Sequence, residues 1–326
     1  MQPMRRPCVL RLFGVLLLAI SLTPTSATPA SAGQAPQSGA TFHTETAIVS
    51  LNVTVRDQAN RPVGDLTPQD FIVFEDGRPQ KIAMISAERI PLSLSLLLDS
   101  SASMDRQLAL AQQAVIGFVQ RLQPRDFASI IDFDSQVRIL QPFTNDQALL
   151  ERAVKQASAS GATTLFNALY VALKDLARLQ TSAAEEIRRQ AIIVVSDGED
   201  TQSIVNFEDV LDAAKRSQTV IYTIGLGTHA GGKRRRTAPN AFILRRLAVE
   251  TGGEAFFPQS AEELAPIYQK VAGELATQYL VAYAPTNMAR DGRWRSIAVR
   301  VNRLNCVART RTGYYAPSPT IARTAR

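Results

Sequence analysis

Between Ala47 and Arg56 (AIVSLNVTVR) apolar and polar residues alternate, the period of a strand with one buried face. Phe71–Glu75 (FIVFE) predicts a second strand, Asp76-Gly77 a hairpin turn, and Gln80–Ser86 (QKIAMIS) a third strand. From Pro91 the pattern changes. Leu92–Leu98, Phe127–Phe133, Gln190–Ser196 and Thr219–Leu226 are apolar runs too short for helices. Val137–Leu140 and Glu254–Phe257 are shorter strand candidates. Helical periodicity fills the intervals at Met104–Leu122, Asp146–Ser158, Leu165–Leu179, Phe207–Ser217, Ala241–Thr251 and Ala261–Ala276. Apolar strands alternating with helices predict an α/β fold, a doubly wound and mostly parallel sheet with helices on both faces. After Thr277 the helices stop, and Tyr279–Tyr283, Arg295–Val301 and Val307–Tyr315 are expected strands. Neither terminal triplet buries a core alone, so the two are expected to pair into one smaller β-sandwich flanking the α/β domain.

The resulting layout is a leader over 1–32, a polar lead-in over 33–45, N-terminal strands over 46–89, and the α/β domain over 90–276. C-terminal strands follow over 277–316, with a tail over 317–326. The leader reading rests on three arginines before the apolar run Leu12–Leu22, and on Ala30-Ser31-Ala32 as a small-x-small cleavage site. Eleven apolar residues are too few to span ~30 Å of hydrocarbon, so a signal peptide and export to the periplasm or beyond are expected, with no transmembrane segment.

Composition narrows the chemistry. The formal charge of +7 falls to 7 − 3 = +4 once Arg5, Arg6 and Arg11 are removed with the leader, too small an excess to indicate nucleic acid. Once Cys8 is removed with the leader, one cysteine and two histidines are too few for a four-ligand Cys/His zinc site. Cys8 leaves with the leader, so Cys306 remains unpaired within the chain. The basic run Lys233–Arg236 reads as a solvated loop, with contact to an anionic envelope surface as the lesser reading.

Two acidic loops stand at the ends of apolar strands: Asp99-Ser100-Ser101-Ala102-Ser103 and Ser196-Asp197-Gly198-Glu199-Asp200. Between them, Ser160-Gly161-Ala162-Thr163-Thr164-Leu165 opens a helix. Doubly wound sheets bind ligands beyond the carboxyl ends of their strands, and carboxylates with hydroxyls are an all-oxygen donor set for a hard divalent cation. A lone Asp-x-Ser-x-Ser is an ordinary turn or helix cap, but three such elements at the right strand ends are more than that.

These residues resemble the von Willebrand factor A domain, a Rossmann-like fold, and its metal-ion-dependent adhesion site: Asp-x-Ser-x-Ser, a distant Thr and a distant Asp. The resemblance implies that Ser101 and Ser103 bind the metal directly and that Thr163 completes the shell when ligand is bound. Asp99 and Asp197 would act largely through water. Thr164 competes for the threonine role, since Gly161-Ala162-Thr163 departs from the common Gly-Gly-Thr, and Asp200 is a weaker candidate. The implied cofactor is a divalent cation, Mg²⁺ first, then Mn²⁺ or Ca²⁺. The implied partner is a protein presenting an Asp or Glu carboxylate, and the implied role is recognition rather than catalysis. The flanks Leu66–Phe71, Val73–Gly77 and Arg311–Tyr315 also look like the von Willebrand factor A-related proteins of acidobacteria. An enzyme would need a base at its serine; His43 falls in the lead-in and His229 in a loop over 227–240. The other expectation is a structural envelope component in which the metal only stabilises the fold.

Overall fold

The computed structural model describes residues 48–182, 188–226 and 239–318. The expected leader, the whole lead-in with His43, His229 and the basic run 233–236 lie outside them. β1 (Val49–Arg56), β2 (Phe71–Glu75), β3 (Arg78–Gln80) and β4 (Ile82–Ser86) open the chain. Asp76 and Gly77 both take positive φ (47° and 75°), which turns β2 tightly into β3.

The central elements follow as β5 (Leu92–Asp99), α1 (Leu108–Val119), β6 (Phe127–Phe133), β7 (Val137–Thr144), α2 (Gln147–Val154), α3 (Leu165–Ser182) and β8 (Arg189–Ser196). The chain continues through α4 (Phe207–Ser217), β9 (Val220–Gly225), α5 (Pro239–Thr251), β10 (Ala255–Phe256) and α6 (Leu264–Thr277). They build a six-stranded sheet in the order β10-β9-β8-β5-β6-β7. Every neighbouring pair is parallel except β6 with β7, an antiparallel edge. All eight residues of β5 and of β8 are buried, because helices cover both faces. Alternate side chains separate the two cores. Leu94, Leu96, Ile193 and Val195 pack with α1, α2 and α6, whereas Leu97, Ile192 and Val194 pack with α3, α4 and α5.

The last strands are β11 (Tyr279–Tyr283), β12 (Trp294–Val301), β13 (Val307–Arg309) and β14 (Gly313–Tyr315). They interleave with the first four into two antiparallel sheets, β13-β1-β11-β4 and β14-β12-β2-β3. Leu51, Val53, Val73, Tyr279, Val281 and Tyr283 form one core between these sheets, so N- and C-terminal strands do share a sandwich. Two expected strands are each divided. Gln80–Ser86 breaks at Lys81, β3 pairing β2 in one sheet and β4 pairing β11 in the other. Val307–Tyr315 breaks likewise, β13 on β1 and β14 on β12. At the second crossing the Thr310 hydroxyl donates to the Asn52 carbonyl (2.8 Å) and the Arg311 guanidinium to the Ser50 carbonyl (3.0 Å), replacing ladder bonds. The helix expected from Met104 begins at Leu108, because a 3-10 turn over Ala102–Met104 precedes it.

Among the described residues no helix is long and apolar enough to cross a membrane.

Candidate functional site

β5 and β8 are neighbours at the centre of the sheet, and the chain leaves them in opposite directions, β5 toward β6 and β8 toward β9. Their carboxyl ends therefore flank the crevice where strand order reverses. Asp99 ends β5 and is fully buried; Ser196 ends β8 and is fully buried beside it. One Asp99 oxygen accepts the Ser101 amide (2.9 Å) and the other accepts the Ser196 hydroxyl (2.5 Å). Burial pushes the Asp99 carboxyl up to about 6, and Asp197 adds to that rise, against the pull of the Ser101 and Ser196 hydrogen bonds. Ser101 is extended (φ −64°, ψ 162°) before the 3-10 turn, and this swings its Oγ to 3.0 Å from that of Ser103. Ser101 is buried and Ser103 exposed, so the pair reaches from the crevice floor to solvent.

A second loop is strapped across the first. Ala102 donates its amide to the Gly161 carbonyl (3.0 Å) and Ser160 to the Ser100 carbonyl (2.8 Å). Gly161 has φ +69°, and a Cβ there would stand 2.3 Å from Ser135 Oγ, so glycine is required. The two threonines that follow differ in use. Thr164 donates its hydroxyl to the Asp134 carbonyl (2.8 Å). Thr163 is fixed instead through its backbone. Its amide donates to Thr201 Oγ1 (3.0 Å), and its carbonyl accepts from the amides of Thr201 (3.0 Å) and Gln202 (3.1 Å). The Thr163 hydroxyl itself makes no hydrogen bond among the described residues. Asp134 steadies this loop through the Ser160 hydroxyl (2.9 Å) and Arg138 (2.8 Å). Burial would raise the Asp134 carboxyl, but the hydrogen bonds from Arg138, Gln136 and Ser160 outweigh it and hold it below its ordinary range.

Asp197 follows Ser196, is half-buried, and accepts the Glu199 amide (3.1 Å). Gly198 takes φ +84° and donates its amide to Ser196 Oγ (2.9 Å). Asp200 is occupied elsewhere, receiving the Phe166 amide (3.2 Å) and the Ser203 hydroxyl (2.6 Å) at the start of α3. The loops bearing Asp99, Ser101, Ser103, Thr163 and Asp197 thus meet beyond the carboxyl ends of β5 and β8. Ser196, Asp134, Thr201 and Asn167 are supporting residues that motif spacing did not single out. Ser196 carried a weak signal, as the last residue of an apolar strand beside the acidic pair.

The donor set fits a hard cation. Ser101 Oγ and Ser103 Oγ are hydrogen-bonded to one another at 3.0 Å, so two hydroxyl oxygens stand side by side as donors for it. Among the described residues no three His, Cys, Asp or Glu side chains group to hold a metal, so an ion here depends on hydroxyls.

The von Willebrand factor type A domain profile matches residues 93–270. Uncharacterized protein sll0103 of Synechocystis sp. is 30% identical over 184 residues, which cover 54% of this chain and 39% of that protein. Inter-alpha-trypsin inhibitor heavy chain H4 of Bos taurus is 26% identical over 216 residues, 62% of this chain and 22% of that protein. The chain thus spans well under half the length of these two relatives. Among solved structures, the von Willebrand factor type A protein from Catenulispora acidiphila is 11% identical with TM-score 0.48, covering 86% of this chain and 76% of that one. Proximal thread matrix protein 1 from the mussel byssus, with a zinc occupied MIDAS motif, is 16% identical with TM-score 0.47, covering 62% and 50%.

Proposed function

The chain belongs to the von Willebrand factor type A domain family, and on that premise we propose that it is a non-enzymatic recognition protein whose divalent cation is completed by a partner's carboxylate. The observation that carries this reading is the convergence of two paired hydroxyls, a threonine hydroxyl without a bond and two carboxylates at the crevice between β5 and β8. Ser101 and Ser103 are the direct ligands, and Thr163 joins them when a partner is bound. Asp99 and Asp197 act through water, with Asp99 oriented by Ser101 and Ser196. A cation held mainly by neutral hydroxyls keeps positive charge and supplies a position for one anionic oxygen. An all-oxygen donor set suits a hard cation, Mg²⁺ first and Mn²⁺ or Ca²⁺ after it.

Catalysis by these serines would need a base at the hydroxyl. The Asp99 carboxylate is buried at the crevice floor and shared between Ser196 and Ser101, and the Ser101 and Ser103 hydroxyls bond one another. Export to the periplasm or the cell exterior belongs to the same reading and rests on the leader sequence.

Calorimetric titration of Mg²⁺ and Mn²⁺ into chelator-treated protein tests the site. We expect saturable one-site binding, lost in Asp99→Ala and in the double variant Ser101→Ala/Ser103→Ala, with circular dichroism unchanged. Undiminished affinity in both variants would sink the assignment. Partner binding that survives chelation would favour a structural role in which the ion only stabilises the fold.

A further inference from the structure

At the amino end of the six-stranded sheet, away from the crevice, Gln218 ends α4 and leads into β9. There a pocket of about 240 Å³ opens between the end of α4 and the sandwich. Its wall is apolar, with Ile48, Pro285, Met288 and Tyr314 lining it. Ile48 and Met288 are 63% and 60% exposed, so part of that wall faces solvent. The charged residues of the lining are Arg290 and Arg311, and no Asp or Glu stands among them. Arg290 is exposed, whereas Arg311 is nine-tenths buried.

A buried cation ordinarily meets a counter-ion, because desolvation without one is unfavourable. Four arginines are buried among the described residues, namely Arg56, Arg189, Arg295 and Arg311. Arg56 pairs with Glu274, and Arg295 with Asp291 at 3.0 Å. Arg189 donates to the Leu275 and Gln278 carbonyls (3.3 and 2.9 Å), at the negative end of α6. Arg311 has neither kind of partner. Its Nη2 donates to the Ser50 carbonyl (3.0 Å), and the guanidinium lies over the Tyr314 ring at 5.7 Å. Its Nε and Nη1 are buried and meet no acceptor among the described residues. Glu75, buried in the same sandwich, accepts the hydroxyls of Tyr283 (2.7 Å) and Tyr314 (3.1 Å) instead. Burial pushes the Arg311 guanidinium down to about 10, which leaves it a cation at neutral pH.

We infer that this pocket binds a carboxylate carried on a short apolar body. The carboxylate pairs with Arg311, and the body lies against Ile48, Pro285 and Met288. A planar carboxylate matches the guanidinium fork, and its single charge is the one that Arg311 lacks. A phosphate dianion would bring a second charge against an apolar wall. At ~30 Å³ per water, the pocket's 240 Å³ suits a group of side-chain size. The ligand is therefore a small organic acid or the apolar C-terminal residue of a peptide, and its binding needs no metal.

Calorimetric titration of 3-phenylpropanoate into the full protein, with Ser101→Ala/Ser103→Ala in place and metal removed, tests this without the crevice. We expect one-site binding with Kd below about 1 mM. The neutral 3-phenylpropanamide, which lacks the charge, and acetate, which lacks the apolar body, should each bind at least about tenfold more weakly. Arg311→Gln should abolish binding. Met288→Glu sets a like charge on the exposed wall and should weaken binding at least about tenfold with melting temperature unchanged, which keeps the test decisive if Arg311→Gln does not fold. N-acetyl-Gly-Gly-Phe with a free C-terminus separates the two sources, binding more tightly than 3-phenylpropanoate if the ligand is a chain end and more weakly if it is a small acid. Equal affinity for acid and amide, undiminished affinity in Met288→Glu, or no saturable binding of either acid would overturn the proposal and leave the metal reading standing.

Discussion

Thr163 and Thr164 are adjacent and chemically identical, yet the structure gives them opposite uses. The Thr164 hydroxyl is buried and donates to the Asp134 carbonyl, joining the loop to the end of β6. Thr163 is buried to the same degree and held by its backbone, and its hydroxyl makes no bond among the described residues. Truncating the first removes a buried hydrogen bond, so Thr164→Ala should destabilise the protein by about 1–2 kcal/mol in urea unfolding. Thr163 is equally buried but has no hydroxyl bond to lose, so Thr163→Ala should cost less stability than Thr164→Ala while weakening Mn²⁺ binding in calorimetric titration. Equal effects of the two variants on stability and on metal binding would contradict this division.

At the scale of elements, the contact between α1 and α6 determines how the last helix of the α/β domain sits. Gly117 lies on α1 where a Cβ would stand 2.5 Å from the Tyr268 ring of α6, and Tyr268 packs edge-on against Phe118 at 4.9 Å. Replacing a helical glycine by alanine ordinarily adds up to about 1 kcal/mol of helix stability. Here the methyl must displace a ring that is itself buried in the core, an overpacking cost of about 1–3 kcal/mol. The second effect is the larger, so Gly117→Ala should be destabilised in urea unfolding. A gain in stability would show that α6 moves freely across α1, which its packing argues against.

At the scale of the whole molecule, a cluster of charges joins the sandwich to the α/β domain. Glu274 on α6 is fully buried and pairs with Arg56 of β1 and Arg309 of β13. Glu254, just before β10, pairs with Arg309 (2.6 Å) and with Lys270 of α6. Burial would raise the Glu254 carboxyl, but hydrogen bonds from Lys270 and Arg309 prevail and hold it below its ordinary 4.5. A depressed folded value means that the charged form is the one folding favours. Its contribution is complete above the unfolded value and is lost as pH falls through the folded value. Stability should therefore drop on acidification below about pH 4.5, and Glu254→Gln should show a shallower acid limb in urea unfolding between pH 3 and 7. An unchanged limb would mean that the cluster contributes nothing to acid sensitivity.

Local periodicity was enough to establish the alternation of apolar strands and helices, the six-stranded architecture, and the placing of Asp99 and Asp197 at strand ends. Each of those depends on which side of a short segment meets solvent, and that is written in consecutive residues. Pairing is not written there. Gln80–Ser86 and Val307–Tyr315 each look like one strand, because alternation reports a buried face but not the sheet that receives it, and only the closing of the sandwich divided them. The choice between Thr163 and Thr164 was likewise made by the Asp134 carbonyl, 30 residues away along the chain. Hydrogen bonds between distant segments determine which identical groups are used up and which stay free, and those bonds exist only once the chain has folded.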